Sequence, residues 1–154
     1  MNSLSDIDVK VNRSCGFHTH ISYEGIKFED LVWFQFYICA TGKYKEFLKM
    51  GRTSLYNRTY AKYTYLESVE QYIKEGYYQC AVGELSTTDK YRVFRIHPQG
   101  TLEWRGPRTF LNTPSKKKTM TFIKKLNDVI STIIESKNTD QVVVNGNTIN
   151  KVDI

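Results

Sequence analysis

The chain has 154 residues, of which 40% are hydrophobic, so it is long enough for one compact domain with its own core. It has no run of eighteen or more apolar residues and no secretory signal at its start, which predicts a soluble, cytoplasmic protein without a membrane span. The net charge of +6 predicts attraction to an anionic ligand, and three widely spaced cysteines argue against a disulfide framework.

The first predicted element is a strand over residues 8–22, in which apolar and polar residues alternate and which Gly16 interrupts. The alternation places His18 and His20 side by side on one face of the strand. They point away from the more apolar side of the predicted sheet.

Helical spacing and capping residues predict most of the helices. The first covers residues 28–40, and a short helix over 43–50 follows it. A third covers residues 65–75 and ends at Gly76, where a left-handed cap residue belongs. The last runs over 114–136.

Two hairpins are predicted in the second half of the chain. Residues 91–97 and 101–106 form antiparallel strands joined by a short turn, and Asn145-Gly146 joins two strand-like runs within residues 141–149. The expected fold is α+β, with an antiparallel sheet backed by helices in a domain over residues 1–136 and an appended tail over 137–154.

One cluster of metal-binding side chains stands near the start of the chain. Cys15, His18 and His20 are spaced so that a strand could bring them to one ion, but a closed structural zinc site needs four ligands. A metal-dependent hydrolase is therefore a minor hypothesis, and two half-exposed strand histidines are the simpler alternative.

Charged side chains mark two further stretches. Glu103 and Arg105 share a strand face, which could place an oxygen ligand beside a guanidinium that grips a carboxylate or phosphate. The common alternative is a cross-strand salt bridge. The stretch from Arg52 to Arg58, within a loop over residues 51–65, could wrap an anion or could be a solvated basic loop.

Four of these pieces occur in an order that resembles a known family. They are Gly16-Phe-His18-Thr-His20, an apolar helix, Arg52 with Asn57-Arg58, and Thr101-Leu-Glu103-Trp-Arg105. In this order, residues 12–130 resemble the amidoligase family. Its members are relatives of glutamine synthetase and glutamate-cysteine ligase that join a carboxylate to an amine with ATP.

The resemblance implies half of a glutamine synthetase-like catalytic domain that uses ATP and Mg²⁺. By this resemblance, His18 and Glu103 match metal ligands, and Arg105 matches the clamp on the substrate carboxylate. The residues that match nucleotide-binding positions are His20, Arg52, Asn57 and Arg58. His18, Glu103 and Arg105 would carry the catalysis, because metal ions and arginines must neutralise anions that react with each other.

The chain departs from the family at its start. The family has an upstream strand with two alternating glutamates, whereas only Asp6 and Asp8 are acidic ahead of Cys15. Another polypeptide or a second copy could supply this strand. Otherwise the chain is a non-catalytic binding module, which would contact nucleic acid or an acidic protein through residues 116–118, Lys124, Lys125 and the aromatic and basic loop over residues 51–65.

Overall fold

The computed structural model describes residues 7–12, 16–22, 25–47, 62–87, 89, 91–98, 100–105 and 116–154. For residues 7–12 and 16–18, and for 116, 118 and 119, it describes the backbone alone.

A four-stranded antiparallel sheet forms one layer of the fold. Its strands, which stand in the order β1-β2-β4-β3, are β1 (Ile7–Asn12), β2 (Gly16–Ile21), β3 (Phe94–Ile96) and β4 (Leu102–Trp104). The prediction of one strand over residues 8–22 was wrong, because β1 and β2 pair with each other as antiparallel neighbours. The two-residue alternation stays in phase from β1 to β2, so it could not reveal the reversal of the chain.

The predicted hairpin of β3 and β4 is confirmed as antiparallel, with strands shorter than expected. The Arg105 amide donates to the Val93 carbonyl and so continues this pairing beyond the assigned strands. On the outer side of β3, Lys62 forms a parallel bridge with Arg92. The chain therefore meets the edge of the sheet directly after residues 48–61.

Helices cover one face of the sheet. They are α1 (Phe28–Ala40), α2 (Tyr44–Phe47), α3 (Thr64–Glu75), α4 (Tyr78–Leu85) and α5 (Lys116–Lys137). Phe34 of α1 meets Phe94 edge-on, and Phe122 of α5 stacks on Trp104 with the ring centroids 6.1 Å apart. The observed fold class is therefore α+β, as predicted.

Helix α1 lies at the centre of the core and contacts α3, α4, α5 and β5. Six consecutive side chains, from residue 31 to residue 36, are buried, which is typical of a helix enclosed on all sides. The one polar residue among them, Gln35, accepts a hydrogen bond from the Tyr65 hydroxyl at 2.9 Å. Within the described ranges, no helix combines the length and apolarity needed to span a bilayer.

The predicted helix bounds agree closely with the structure for α1 and for α3, which ends at Gly76 with a φ of 83°. Helix α2 is shorter than its prediction within the described residues. Helix α4 was not predicted. Its first residue is Tyr78 and it contains Gly83, so its composition does not favour a helix. Burial of Ala81 and Leu85 stabilises it.

The C-terminal hairpin is confirmed and consists of β5 (Gln141–Val144) and β6 (Asn147–Asn150). Asn145 and Gly146 both have positive φ, as a two-residue hairpin turn requires. Val142 and Ile149 pair across the hairpin and belong to the main core. The hairpin thus packs on the rest of the protein, while the division of the chain at residue 136 stays a prediction.

Hydrogen bonds connect α1 to the end of α5 and to the residues that follow it. The indole nitrogen of Trp33 donates to the carbonyls of Ser136, at 2.9 Å, and Thr139, at 3.0 Å. Lys151, in the 3₁₀ turn after β6, donates to Asp30 Oδ1 at 2.9 Å. Burial alone would raise the pKa of Asp30, but the Lys27 amide and the bond and charge of Lys151 together lower it.

Candidate functional site on the polar sheet face

The face of the sheet turned away from the helices carries a row of ionisable residues, here called the polar face. His20 of β2 pairs in register with Glu103 of β4, and Glu103 pairs with Arg95 of β3. Alternation sends the intervening residues to the opposite face, where Thr19, Trp104 and Phe94 are buried against the helices. The alternation therefore places the core residues on one face of the sheet and the ionisable residues on the other.

Glu103 is the centre of the polar face. It is only 3% exposed, although it carries a carboxylate. Its Oε2 lies 3.4 Å from Arg95 Nη1 and 4.0 Å from His20 Nε2, and its Oε1 lies 3.7 Å from Arg105 Nε. A buried carboxylate needs such partners, because an uncompensated charge inside a protein is costly.

Arg105 follows β4 and is 6% exposed. Its backbone is fixed by the hydrogen bond from its amide to Val93, and its Nε lies near Glu103 without reaching hydrogen-bonding distance. That Nε is buried and has no hydrogen-bond partner in the protein. Since a guanidinium has five N–H donors, Arg105 retains capacity for an additional acceptor.

His97 is a further residue at this site. Its amide donates to the Thr101 carbonyl in the turn between β3 and β4, and its ring meets the His20 ring edge-on with the centroids 5.6 Å apart. No role was predicted from the sequence for His97 or Arg95. The register of the predicted hairpin could have found Arg95, because a turn of known length fixes which residue lies opposite Glu103.

The structure brings together only some of the predicted site residues. His20, Glu103 and Arg105 lie on one face, and the backbone of His18 lies in β2 opposite Lys10. The side chain of His18 is outside the described part of the chain, as are Cys15 and the predicted anion-binding residues of the loop, namely Arg52, Asn57 and Arg58. Their roles stay predictions.

The residues for a metal ion are incomplete in the described part of the chain. There, no group of three or more His, Cys, Asp or Glu side chains is placed to hold a metal ion. The polar face offers the Glu103 carboxylate and the His20 imidazole, whereas Mg²⁺ takes six ligands and prefers oxygen. Phosphate oxygens or other chain segments would have to complete its coordination.

Arg92, which pairs with Lys62 at the edge of the sheet, is held by contacts with Tyr65 and Glu84. The Arg92 guanidinium lies over the Tyr65 ring, 4.2 Å from its centroid, and bonds to the carbonyl and carboxylate of Glu84. Burial raises the pKa of the Tyr65 hydroxyl well above its usual range. Arg92 is thus well supplied with partners, which sets it apart from Arg105.

A separate cleft of about 550 Å³ lies between the start of α1, the end of α4 and the C-terminal turn. Phe28, Val32, Val82 and Val152 form much of its lining, and no residue of the four-stranded sheet contributes to it. This cleft is therefore distinct from the polar face.

Compared with protein-family models, with curated proteins and with solved structures, the chain shows no significant match.

Proposed function

We propose that the polar face is part of an ATP- and Mg²⁺-dependent carboxylate-amine ligase and that the domain corresponds to half of a glutamine synthetase-like catalytic domain. The observation that supports this function best is the convergence of two motifs far apart in the chain. His20 and Arg105 both lie within 4.0 Å of the Glu103 carboxylate, as the amidoligase resemblance requires.

The reaction would run through an acyl phosphate. The γ-phosphoryl group passes from ATP to the substrate carboxylate and ADP leaves; the amine then attacks the acyl carbon, loses a proton and expels phosphate. Arg105 would hold the anionic substrate, because the Nε–H of its buried guanidinium has no hydrogen-bond acceptor in the protein. His20 would lie against the nucleotide phosphates.

Mg²⁺ would be held by Glu103 and His18 and would supply charge neutralisation between the phosphates and the carboxylate. The missing oxygen ligands would come from the nucleotide and from an acidic strand of another polypeptide or of a second copy. Arg52, Asn57 and Arg58 would add phosphate contacts. The site would then be complete only in an assembly.

The test is calorimetric titration of a non-hydrolysable ATP analogue with and without Mg²⁺, on the wild type and on Glu103→Gln. This substitution keeps the shape of the side chain but removes its charge. We expect Mg²⁺-dependent binding in the wild type and a loss of at least about tenfold in the variant. Lys124→Gln, which removes a charge on exposed α5, is the control and should leave binding unchanged.

Equal nucleotide affinity in the wild type and in Glu103→Gln, with both proteins folded by circular dichroism, would refute the metal-ligand role of Glu103. Absence of Mg²⁺-dependent binding in the wild type would refute a nucleotide half-site in a single chain. A mixture with a partner that supplies the acidic strand would then be the next sample to titrate.

A second candidate is a non-catalytic module that binds nucleic acid. It is favoured by exposed lysines on α5, since Lys117 and Lys124 make no ion pair with any described residue. Lys125 is less available, because its Nζ contacts the Glu46 carbonyl at 3.4 Å. Salt-sensitive binding of DNA or RNA that Lys124→Gln weakens and Glu103→Gln leaves intact would support this function.

A further inference from the structure

Among the side chains that the structure describes, those at the buried centre of the polar face carry an excess of positive charge. Two arginines, Arg95 and Arg105, approach the single carboxylate of Glu103, and Glu103 is the only carboxylate that either guanidinium contacts within the described residues. Each guanidinium is permanently charged. The two therefore carry one more positive charge than Glu103 can balance, and a buried net charge favours uptake of a counter-ion.

Unused hydrogen-bond donors occur at the same place. Among the described residues, the buried side-chain polar atoms without a partner in the protein are Thr19 Oγ1, Arg95 Nε, Thr101 Oγ1, Trp104 Nε1 and Arg105 Nε. Arg95 pairs with Glu103 in register, and Thr101 and Arg105 flank Glu103 at a spacing of two residues, so these three share its face. Most buried polar atoms in proteins have partners, so a group of three orphans on one face indicates a missing ligand.

One carboxylate, that of Glu103, already lies near both arginines. The two oxygens of Glu103 lie near different guanidiniums, at 3.4 Å from Arg95 Nη1 and 3.7 Å from Arg105 Nε. Both distances exceed those of strong charge-assisted hydrogen bonds, which are about 2.8 Å. Glu103 therefore compensates the arginines without saturating them, and both buried Nε–H groups lack a hydrogen-bond partner in the protein.

We propose that Arg95 and Arg105 together bind one oxyanion group, with Thr101 as an additional hydroxyl partner, and that this binding requires no metal ion. The ligand class is a phosphate or carboxylate group, recognised by its paired oxygens. Glu103 acts against this binding through its negative charge. Arg95 has no counterpart in the amidoligase pattern described above, so this site extends the proposed ligase function but does not depend on it.

The metal-ligand function and the oxyanion site make opposite predictions for one variant. If Glu103 holds Mg²⁺, Glu103→Gln loses Mg²⁺-dependent nucleotide binding. If Arg95 and Arg105 bind an oxyanion directly, Glu103→Gln strengthens metal-free anion binding, because the competing internal charge is gone. The two ideas can therefore fail separately.

The experiment follows the Nε–H signals of arginine side chains by NMR in ¹⁵N-labelled full-length protein. Inorganic phosphate and, in a second series, succinate are added without Mg²⁺ and at constant ionic strength set with chloride. The Arg95 and Arg105 signals are assigned from their Lys variants. We expect both signals to shift with one common dissociation constant, and the tighter of the two probes identifies the ligand as phosphate or carboxylate.

Two substitutions complete the test. Arg95→Lys keeps the charge but removes the planar fork, and we expect it to weaken binding by about 10-fold or more, the loss typical of a charged hydrogen bond. Lys74→Gln removes the charge of an exposed lysine on α3 and should change affinity by less than about 2-fold, which excludes a general charge effect. Glu103→Gln should bind the anion more tightly than the wild type.

The proposal is overturned if neither Nε–H signal moves with either anion in the wild type. It is also overturned if Arg95→Lys binds as tightly as the wild type, or if chloride alone reproduces the shifts. Because Arg95 is 21% exposed at its side chain and lysine keeps its charge, the Arg95→Lys protein is expected to fold, and its thermal unfolding provides the check.

Discussion

The neighbouring valines of β5 provide a matched test of how the C-terminal hairpin is held. Val142 is 7% exposed and pairs with Ile149 inside the core, whereas Val143 is 64% exposed. Val→Ala removes two methyl-sized groups, each worth about 0.8 kcal/mol when buried, and leaves a cavity. Val142→Ala should therefore cost roughly 2 to 3 kcal/mol, and Val143→Ala less than about 0.5 kcal/mol.

Both substitutions change strand propensity by the same amount, so the difference between them isolates burial. Urea denaturation followed by circular dichroism measures the free energy of unfolding, and in a thermal scan Val142→Ala should lower Tm by roughly 4 to 12 °C. Trp33, whose indole bonds to the Thr139 carbonyl just before β5, gives a second signal by fluorescence. Equal, small effects of the two substitutions would refute the packing of the hairpin on α1.

Three further predictions concern single residues. Asp30→Asn should cost about 1 kcal/mol at neutral pH, and this cost should fall as pH drops below the ordinary carboxyl pKa of 3.8. A lowered pKa gives stability that is present above the unfolded value and lost as pH falls through the folded value; a pH series of urea midpoints measures this. Tyr65→Phe, which removes the hydroxyl that donates to Gln35, should cost about 1 to 2 kcal/mol at neutral pH. This difference should shrink above about pH 10, because the raised pKa of Tyr65 gives stability that is lost as pH rises. Alkaline urea titrations that show a constant difference would contradict this prediction. Gly76→Ala should cost about 1 kcal/mol from its φ of 83° alone, whereas Gly83→Ala inside α4 should stabilise by about 0.5 kcal/mol, and thermal unfolding of the pair should show opposite signs.

The elements that could be predicted are those with strong local signals. Helix α1 combines an acidic first turn with a dense apolar run, and α3 ends at a glycine with positive φ. Asn145-Gly146 predicts the last hairpin because both residue types readily adopt the positive φ that its two-residue turn requires. In these segments the local preference and the final structure agree.

Features that depend on distant contacts could not be predicted. The break between β1 and β2 leaves the alternation in phase, and α4 forms because Ala81 and Leu85 reach the core, not because its residues favour a helix. The burial of Val142 against α1 likewise has no local signal. One sequence indicates which residues can be buried but not which distant surface covers them.

The polar face also combines features that could be predicted from the sequence with features that could not. The alternation in β2 and β4 predicted that His20 and the Glu103–Arg105 pair each lie on one face, and the structure adds that these two strands are neighbours. Arg95 and His97 complete the arrangement only through the pairing of β3 with β4. The predicted hairpin could have placed Arg95 opposite Glu103, whereas the contact of His97 with His20 also depends on the pairing of β2 with β4.

The most direct test of the central claim, that the polar face holds the metal–nucleotide complex, is paramagnetic broadening by Mn²⁺ in place of Mg²⁺. Mn²⁺ and an ATP analogue are added to ¹⁵N-labelled protein, and the loss of backbone amide signals maps the distance from the ion. We predict that broadening is strongest at His20, Glu103 and Arg105. Broadening centred on the exposed lysines of α5 at Lys117 and Lys124, with the sheet signals unaffected, would contradict the claim.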